Sequence, residues 1–105
     1  MTEYRIVFVT FPDHTIAHGI ARTIVSEKLC ACANLIDGLK SVYTWKDKLE
    51  ESSETLMIIK THESKLPELE NRIRAMHPYE VFEFVVMPVI YGNASYLTWV
   101  SESVK

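Results

Sequence analysis

Histidine and carboxylate side chains that could bind a metal ion occur in two parts of the sequence. His77 and Glu80 stand in a His-Pro-Tyr-Glu segment, where His77 either caps the end of a helix or serves as a ligand. Glu80 either offers an oxygen to a hard cation or forms a hydrogen bond at a subunit boundary. His14 and His18 have the spacing of neighbours on one helix face and could bind a metal together. No Glu or Cys is placed to complete that second set, so we expect both imidazoles to be solvated.

The two cysteines, Cys30 and Cys32, are separated by a single residue. If this segment is a strand, both side chains point to the same face. The spacing is too tight for an ordinary structural disulfide, and it differs from the Cys-x-x-Cys of redox and zinc motifs. We therefore expect buried, reduced thiols.

Five aromatic residues could form a different kind of site, a pocket for a small ligand between subunits. Clefts at interfaces favour aromatic walls with a few polar groups, which Lys60 and Glu80 could supply. The same aromatic side chains could instead pack in a plain subunit contact. The five residues are Tyr43, Trp45, Tyr79, Tyr96 and Trp99.

The composition argues against several classes of function. A chain of 105 residues has the size of one domain, which we place at 1–105, and its 48% hydrophobic content indicates a core that folds without a cofactor. A formal net charge of −3 with no basic cluster argues against a nucleic-acid partner. The sequence has only three glycines and no Gly-x-Ser-x-Gly or phosphate-binding motif, so we do not expect an enzyme.

The N-terminal residues indicate where the protein resides. Met1–Arg5 leads directly into a β-like run, without the apolar core and cleavage site of a signal peptide. No stretch approaches the ~20 apolar residues that span a bilayer. We expect a cytoplasmic protein with no membrane partner.

The elements that must position these side chains follow from hydrophobic periodicity. Asp13 and Ser64 are candidate N-caps for two helices, and Asp37-Gly38 marks either a bend within a strand or a tight turn. The order β-α-β-β-α-β with a closing helix predicts an α+β, ferredoxin-like fold. The predicted strands are Tyr4–Thr10, Cys30–Ile36, Leu39–Trp45, Leu56–Thr61 and Val81–Val89, whereas the polar residues Leu49–Thr55 indicate no clear element by themselves. The predicted helices follow Asp13, follow Ser64 and end near His77, and cover Ala94–Val104.

The central hairpin is predicted to be too long for the body that carries it. Two extended strands over residues 32–45 and 49–61 would reach ~40 Å at about 3.3 Å per residue, against a radius of gyration near ~13 Å for a compact domain of this size. A projecting ribbon that bears Val42, Tyr43 and Trp45 has unpaired edges and exposed aromatics. Such surfaces are normally covered by another chain.

Six segments, in order over nearly the whole chain, resemble the CutA family of divalent-cation tolerance proteins. The resemblance implies a homotrimer of ferredoxin-like protomers, each with a long bent hairpin and a C-terminal helix, closed by strand pairing between subunits. It therefore favours a bend at Asp37-Gly38 over a turn. The segments are Thr10-Phe11-Pro12-Asp13, Leu29-Cys30-Ala31-Cys32-Ala33-Asn34, Ser41-Val42-Tyr43-Thr44-Trp45, Ile59-Lys60-Thr61, His77-Pro78-Tyr79-Glu80 and Tyr96-Leu97-Thr98-Trp99.

The same resemblance implies copper, or another divalent cation, as an ion to consider. Family members with a described copper site use a thiol on the first strand and two adjacent histidines, and this chain has Val9 and Met76 at two of those positions. Of the three ligands only His77 is matched, so we expect weak binding, since useful affinity needs about three or four ligands. The candidate metal residues are His77, Cys32, Met76 and Glu80.

Two functions are compatible with this set of residues, and a third, purely structural interpretation is a very stable scaffold with no ligand of its own. The first is a non-enzymatic trimer concerned with divalent metal, or copper, tolerance. The second is a signalling or ligand-sensing trimer, similar in architecture to the PII proteins, that binds a small molecule or a partner protein in its inter-subunit clefts. Tyr43, Trp45, Lys60, Tyr79 and Trp99 are the residues predicted for that cleft.

Overall fold

The computed structural model describes residues 2–105 as one four-stranded sheet with three α-helices. The strand order is β2-β3-β1-β4, and every neighbouring pair is antiparallel. This arrangement confirms the α+β, ferredoxin-like prediction. The elements are β1 (Tyr4–Phe11), α1 (His14–Ser26), β2 (Cys32–Trp45), β3 (Lys48–His62), a 3-10 turn (Glu63–Lys65), α2 (Leu66–Met76), β4 (Val85–Pro88) and α3 (Ala94–Ser103).

The core lies between the sheet and the helices α1 and α2. Alternate residues of the two central strands point into it, because side chains on a strand alternate between its faces. The helices contribute residues at spacings of three and four, as an amphipathic helix must. The buried set includes Val7, Val9 and Phe11 of β1, Met57 and Ile59 of β3, Ala17, Ile20 and Ile24 of α1, and Leu69 and Ile73 of α2.

Helix α1 begins where Asp13 caps it. The Asp13 carboxylate accepts a hydrogen bond of 2.9 Å from the backbone N–H of Ile16, which satisfies one of the first-turn donors that have no partner within the helix. Asn93 caps α3 in the same way, through a 3.1 Å bond from the N–H of Tyr96. Both helix starts agree with the sequence prediction.

The hairpin of β2 and β3 projects from the body as predicted. The longest dimension of the molecule is 44 Å, although its radius of gyration is 14.3 Å. The two strands pair from Cys32 to Trp45 with a register shift between Ile36 and Leu39, and Gly38 has a φ of +78° there. The prediction of a bend at Asp37-Gly38 is therefore confirmed, and the tip is a two-residue turn at Lys46 and Asp47.

Strand β4 is shorter than the predicted Val81–Val89 strand. It covers Val85–Pro88 and pairs only with Arg5–Phe8 of β1. Further along β1, the imidazole of His77 donates a hydrogen bond to the carbonyl of Thr10. This side chain therefore occupies a backbone acceptor of β1 that a longer β4 would have used. Pro88 has no N–H to give and lies on an edge strand, where proline is tolerated.

Two other boundaries differ from the prediction. Strand β2 begins at Cys32, and Cys30 lies before it in a buried position. Ser64 does not cap α2: it lies inside the 3-10 turn, whose cap is His62, with Nδ1 accepting from the N–H of Ser64 at 3.1 Å. An imidazole nitrogen replaces the hydroxyl because the observed cap lies two residues earlier than the predicted one.

Candidate functional site

A cleft of about 700 Å³ lies between the hairpin and the segment that follows α2. Strand β2 forms one wall, and residues 78–83 form the other. The lining of the cleft consists of Thr10, Ser41, Val42, Tyr43, Trp45, Glu54, Pro78, Tyr79, Glu80, Val81 and Glu83.

Glu54 and Tyr79 join the two walls of the cleft. The Tyr79 hydroxyl donates to Oε2 of Glu54 at 2.7 Å, and Glu54 is only 8% exposed. Partial burial, followed by this bond and the charge of Glu54, raises the pKa of Tyr79 above its ordinary value. Tyr79 therefore stays a hydrogen-bond donor at neutral pH and holds the carboxylate in place.

The cleft concentrates negative charge. Glu54, Glu80 and Glu83 all line it, and among the described residues the lining contains no basic side chain. Partial burial and the charge of Glu54 raise the pKa of Glu83 above its ordinary value, so its ionised form is disfavoured. A bound cation would relieve that repulsion, because an opposite charge within a few ångströms favours the ionised carboxylate.

His77 is held inside the protein by both ring nitrogens. Nε2 lies 2.8 Å from the carbonyl of Thr10, and Nδ1 accepts the backbone N–H of Tyr79 at 3.1 Å. The carbonyl can only accept, so Nε2 carries the proton and the ring is neutral. The ring stacks on Phe11 at 4.6 Å and on Phe82 at 5.0 Å, and burial lowers the pKa of the imidazole. A metal at either nitrogen would have to displace one of these bonds.

The four predicted metal residues do not converge within one chain. Cys32 pairs in register with Lys60, which faces Ile6, whereas His77 contacts Thr10, about 13 Å further along β1 at the rise of an extended strand. Met76, the last residue of α2, packs against the core. Glu80 alone among the four lines the cleft. Across residues 2–105, no three His, Cys, Asp or Glu side chains are grouped as a metal site.

The two thiols differ in their surroundings. Cys30 is buried, and that burial raises the pKa of its thiol to about 12, so it stays protonated and unreactive at neutral pH. Cys32 is half-buried at the start of β2. The expectation of two buried thiols thus holds for the first cysteine only.

The predicted pocket residues fall in three places. Tyr43, Trp45 and Tyr79 line the large cleft. Lys60 lines a smaller cavity of about 190 Å³ beside α3 and donates to the side chain of Asn34. Trp99 is exposed on α3, where it contacts Tyr96 at a ring distance of 5.6 Å.

Sequence reasoning missed Glu54 and Glu83 as members of the cleft. Glu54 is the last charged residue of β3 before the apolar run that starts at Leu56, and this position was the only sequence signal that could have singled it out. Glu83 gives no comparable signal, because it sits in a segment with a β-like composition. Among the described helices, none is long and apolar enough to cross a membrane.

Comparison with known proteins gives consistent matches. The family model of the CutA1 divalent ion tolerance protein matches residues 5–103. Human Protein CutA is 50% identical over 95 residues, which cover 90% of this chain and 53% of the human protein. The divalent-cation tolerance protein CutA of Thermus thermophilus is 40% identical over 98 residues, which cover 93% of this chain and 95% of that protein. The chain thus spans about half the length of its human relative.

Solved structures agree with these sequence matches. The divalent cation tolerance protein Cut A1 of Thermus thermophilus superimposes with a TM-score of 0.95 at 38% identity, covering 97% of this chain and 99% of that one. A protein of Archaeoglobus fulgidus, described as a periplasmic divalent cation tolerance protein CutA, has a TM-score of 0.94 at 31% identity over 97% and 99% of the two chains.

Proposed function

The chain belongs to the CutA1 divalent ion tolerance family, and on that premise we propose that it serves divalent-cation tolerance by binding a divalent ion in the acidic cleft. The observation that carries this proposal is that Glu54, Glu80 and Glu83 all line one cleft, whose lining contains no basic side chain among the described residues. The three carboxylates are not grouped closely enough to form a preformed metal site, so a bound ion would contact one or two of them at a time. The family is named for tolerance of ions and not for a reaction, so the proposed activity is binding without catalysis.

Copper is the ion that we propose, with weak affinity. Among divalent first-row ions, Cu²⁺ binds a given nitrogen and oxygen site most tightly. Glu80 and Glu83 offer oxygens at the exposed side of the cleft, whereas Glu54 is already engaged by Tyr79. His77 would join as a ligand only by giving up one of its two hydrogen bonds, so the carboxylates are proposed as the first contacts.

Titration calorimetry with Cu²⁺ and Mn²⁺ at pH 7 tests this function. Glu80→Gln and Glu83→Gln remove cleft charges without removing volume, and Glu102→Gln is the matched control because it lies exposed on α3, paired with Lys105. We expect each cleft variant to weaken binding by about fivefold or more, which corresponds to roughly one charge-assisted contact. Equal affinity in all four proteins, or no binding in any, would refute the proposal.

A homotrimer is the second part of the proposal. Strands β2 and β4 are the two edges of the sheet, and both carry exposed apolar residues, including Val42, Trp45, Val85 and Met87. Unpaired edges of this length are normally covered. Sedimentation analysis should give three chains per particle, and Trp45→Lys should reduce the fraction assembled. A protein that stays monomeric at micromolar concentration would contradict this part.

A small-ligand sensor is the alternative function. A cleft of about 700 Å³ lies in the ordinary range of ligand pockets, and Tyr43, Trp45 and Tyr79 give it aromatic walls. Native mass spectrometry of protein purified gently from cells should then show a bound small molecule or a partner protein. Bare particles in every growth condition would count against this alternative.

A cytoplasmic location completes the proposal. It is supported by Cys32, a half-buried free thiol, since accessible thiols persist in a reducing compartment. Fractionation of cells into cytosol and envelope tests it, and recovery in the envelope or periplasm would overturn it.

A further inference from the structure

Two histidines stack on the first turns of α1, away from the acidic cleft. His14 is the first residue of the helix and His18 lies four residues later, so both project from one face. Their ring centroids are 5.6 Å apart and the rings are within 16° of parallel. Both side chains are exposed, which leaves their nitrogens accessible to a solvated ion.

A carboxylate from another element fixes the orientation of His14. Oδ1 of Asp37, in the bend of β2, lies 3.0 Å from Nδ1 of His14 and also accepts the hydroxyl of Thr55 at 3.0 Å. An ionised carboxylate only accepts, so Nδ1 of His14 carries the proton.

That tautomer has a chemical consequence at the other nitrogen. With its proton on Nδ1, the neutral His14 ring presents an unshared electron pair on Nε2. Metal-binding histidines in proteins are held in this way, with one nitrogen donating to a carboxylate and the other bound to the ion. Thr55 is almost fully buried, so it anchors the carboxylate from the protein side.

We propose that His14 and His18 form a chelating site for a divalent transition-metal ion, with Asp37 as a positioning residue. The helical i, i+4 spacing is the one at which paired histidines hold zinc in helical metal motifs. No third ligand is grouped with them among residues 2–105, so water completes the coordination and the affinity is modest. Borderline ions such as Cu²⁺, Ni²⁺ and Zn²⁺ suit imidazole nitrogens, in contrast to Mg²⁺ or Ca²⁺.

The electrostatic surroundings of the pair are balanced. The helix N-terminus carries a partial positive charge that disfavours a cation. The carboxylates of Asp13, which caps the helix, and of Asp37, which touches His14, oppose that charge. The site is separate from the acidic cleft, because none of its residues lines the cleft. It therefore goes beyond the proposed function and does not depend on it.

Titration of Ni²⁺ into the full chain at pH 7.5 tests the site, since this ion does not oxidise the thiols and suits imidazole nitrogens. We expect one ion bound at the helix pair of each chain, an affinity of that site lowered about tenfold or more by His14→Gln and by His18→Gln, and an unchanged affinity in His62→Gln. The substituted residues are exposed or half-buried, and circular dichroism verifies folding. Unchanged affinity in both helix variants, or an equal loss in His62→Gln, would overturn the proposal.

The role of Asp37 needs a measurement that a merely structural residue would not affect. Asp37→Ala should lower the Ni²⁺ affinity by about tenfold. The ring-nitrogen chemical shifts of His14 should also change, because the preference for a proton on Nδ1 is lost. An unaltered His14 tautomer or an unaltered affinity in Asp37→Ala would remove Asp37 from the site. Glu80→Gln, a cleft variant, should bind Ni²⁺ at the helix pair as the wild type does.

Discussion

Replacing His77 with alanine should destabilise the fold far more than it affects any metal. The change removes a ring that bonds to the Thr10 carbonyl and the Tyr79 N–H and stacks on Phe11 and Phe82. Each lost hydrogen bond is worth about 0.5–1.5 kcal/mol net, and each buried group left unpaired costs about 1–3 kcal/mol. With the cavity that remains, we expect a loss of about 3–5 kcal/mol.

Two isosteric variants separate the contributions. His77→Asn keeps an acceptor near Nδ1 for Tyr79, and His77→Gln keeps a donor near Nε2 for Thr10. Each should lose about 2 kcal/mol, because each retains one of the two bonds. His18→Ala is the control: its ring is exposed, so its substitution should stay within about 0.5 kcal/mol of wild type.

The pH dependence of stability provides a second test of the same imidazole. Burial lowers the pKa of His77 in the folded protein, so the unfolded chain takes up its proton first as the pH falls. The contribution of the neutral ring is fully present above the unfolded value of about 6.5 and is lost as the pH falls below it. Wild type should therefore lose more stability than His77→Gln between pH 7.5 and pH 5.5.

Urea denaturation measures both effects, and it is run at one fixed protein concentration because the proposed trimer would make unfolding depend on concentration. Two results would refute the reasoning. One is a cost below about 1 kcal/mol for His77→Ala, which would mean that the two bonds contribute little. The other is an equal loss of unfolding free energy in wild type and in His77→Gln between pH 7.5 and pH 5.5.

Three further changes test the hairpin and the core. Gly38→Ala should lower the free energy of unfolding in urea by about 1 kcal/mol. The whole cost comes from backbone strain at a φ of +78°, because an added Cβ would meet no atom within 4 Å. An unchanged free energy of unfolding would show that the backbone is not strained there. The pair Lys46→Asn and Asp47→Gly should raise the thermal midpoint, since both positions have positive φ at a two-residue turn; a lowered midpoint would contradict this. Thr61→Val should lower the free energy of unfolding in urea by about 1–3 kcal/mol, because the buried carbonyl of Leu29 loses the Thr61 hydroxyl that donates to it at 2.8 Å. An unchanged free energy of unfolding would refute this expectation.

Local signals in the sequence were sufficient for most of the fold. Asp13 before an apolar period of three and four predicts the start of α1, and the structure places its carboxylate on the N–H of Ile16. Asp37-Gly38 predicts a break in the strand, which appears as a register shift. These features depend on residues close together in sequence, so a linear pattern contains them.

The cleft and the helix pair depend on contacts that a linear pattern does not contain. The bond between Tyr79 and Glu54 joins α2's exit to the middle of β3, and the bond between His14 and Asp37 joins a helix to a strand bend. Strand β4 was predicted too long for a similar reason. Its composition is β-forming, but its length depends on how far the backbone of β1 is free for strand pairing, and β1 pairs with β4 only over Arg5–Phe8.

The sheet order also determines which parts of the molecule can assemble early. Strands β2 and β3 are joined by a two-residue turn, so their ladder can form from neighbouring residues within microseconds. The ladder between β1 and β4 joins Arg5 to Pro88, near opposite ends of the chain, and must wait until the long intervening loop closes. Amide hydrogen exchange should accordingly be faster along β4 than along β1 and β3, and equal protection would argue against late closure.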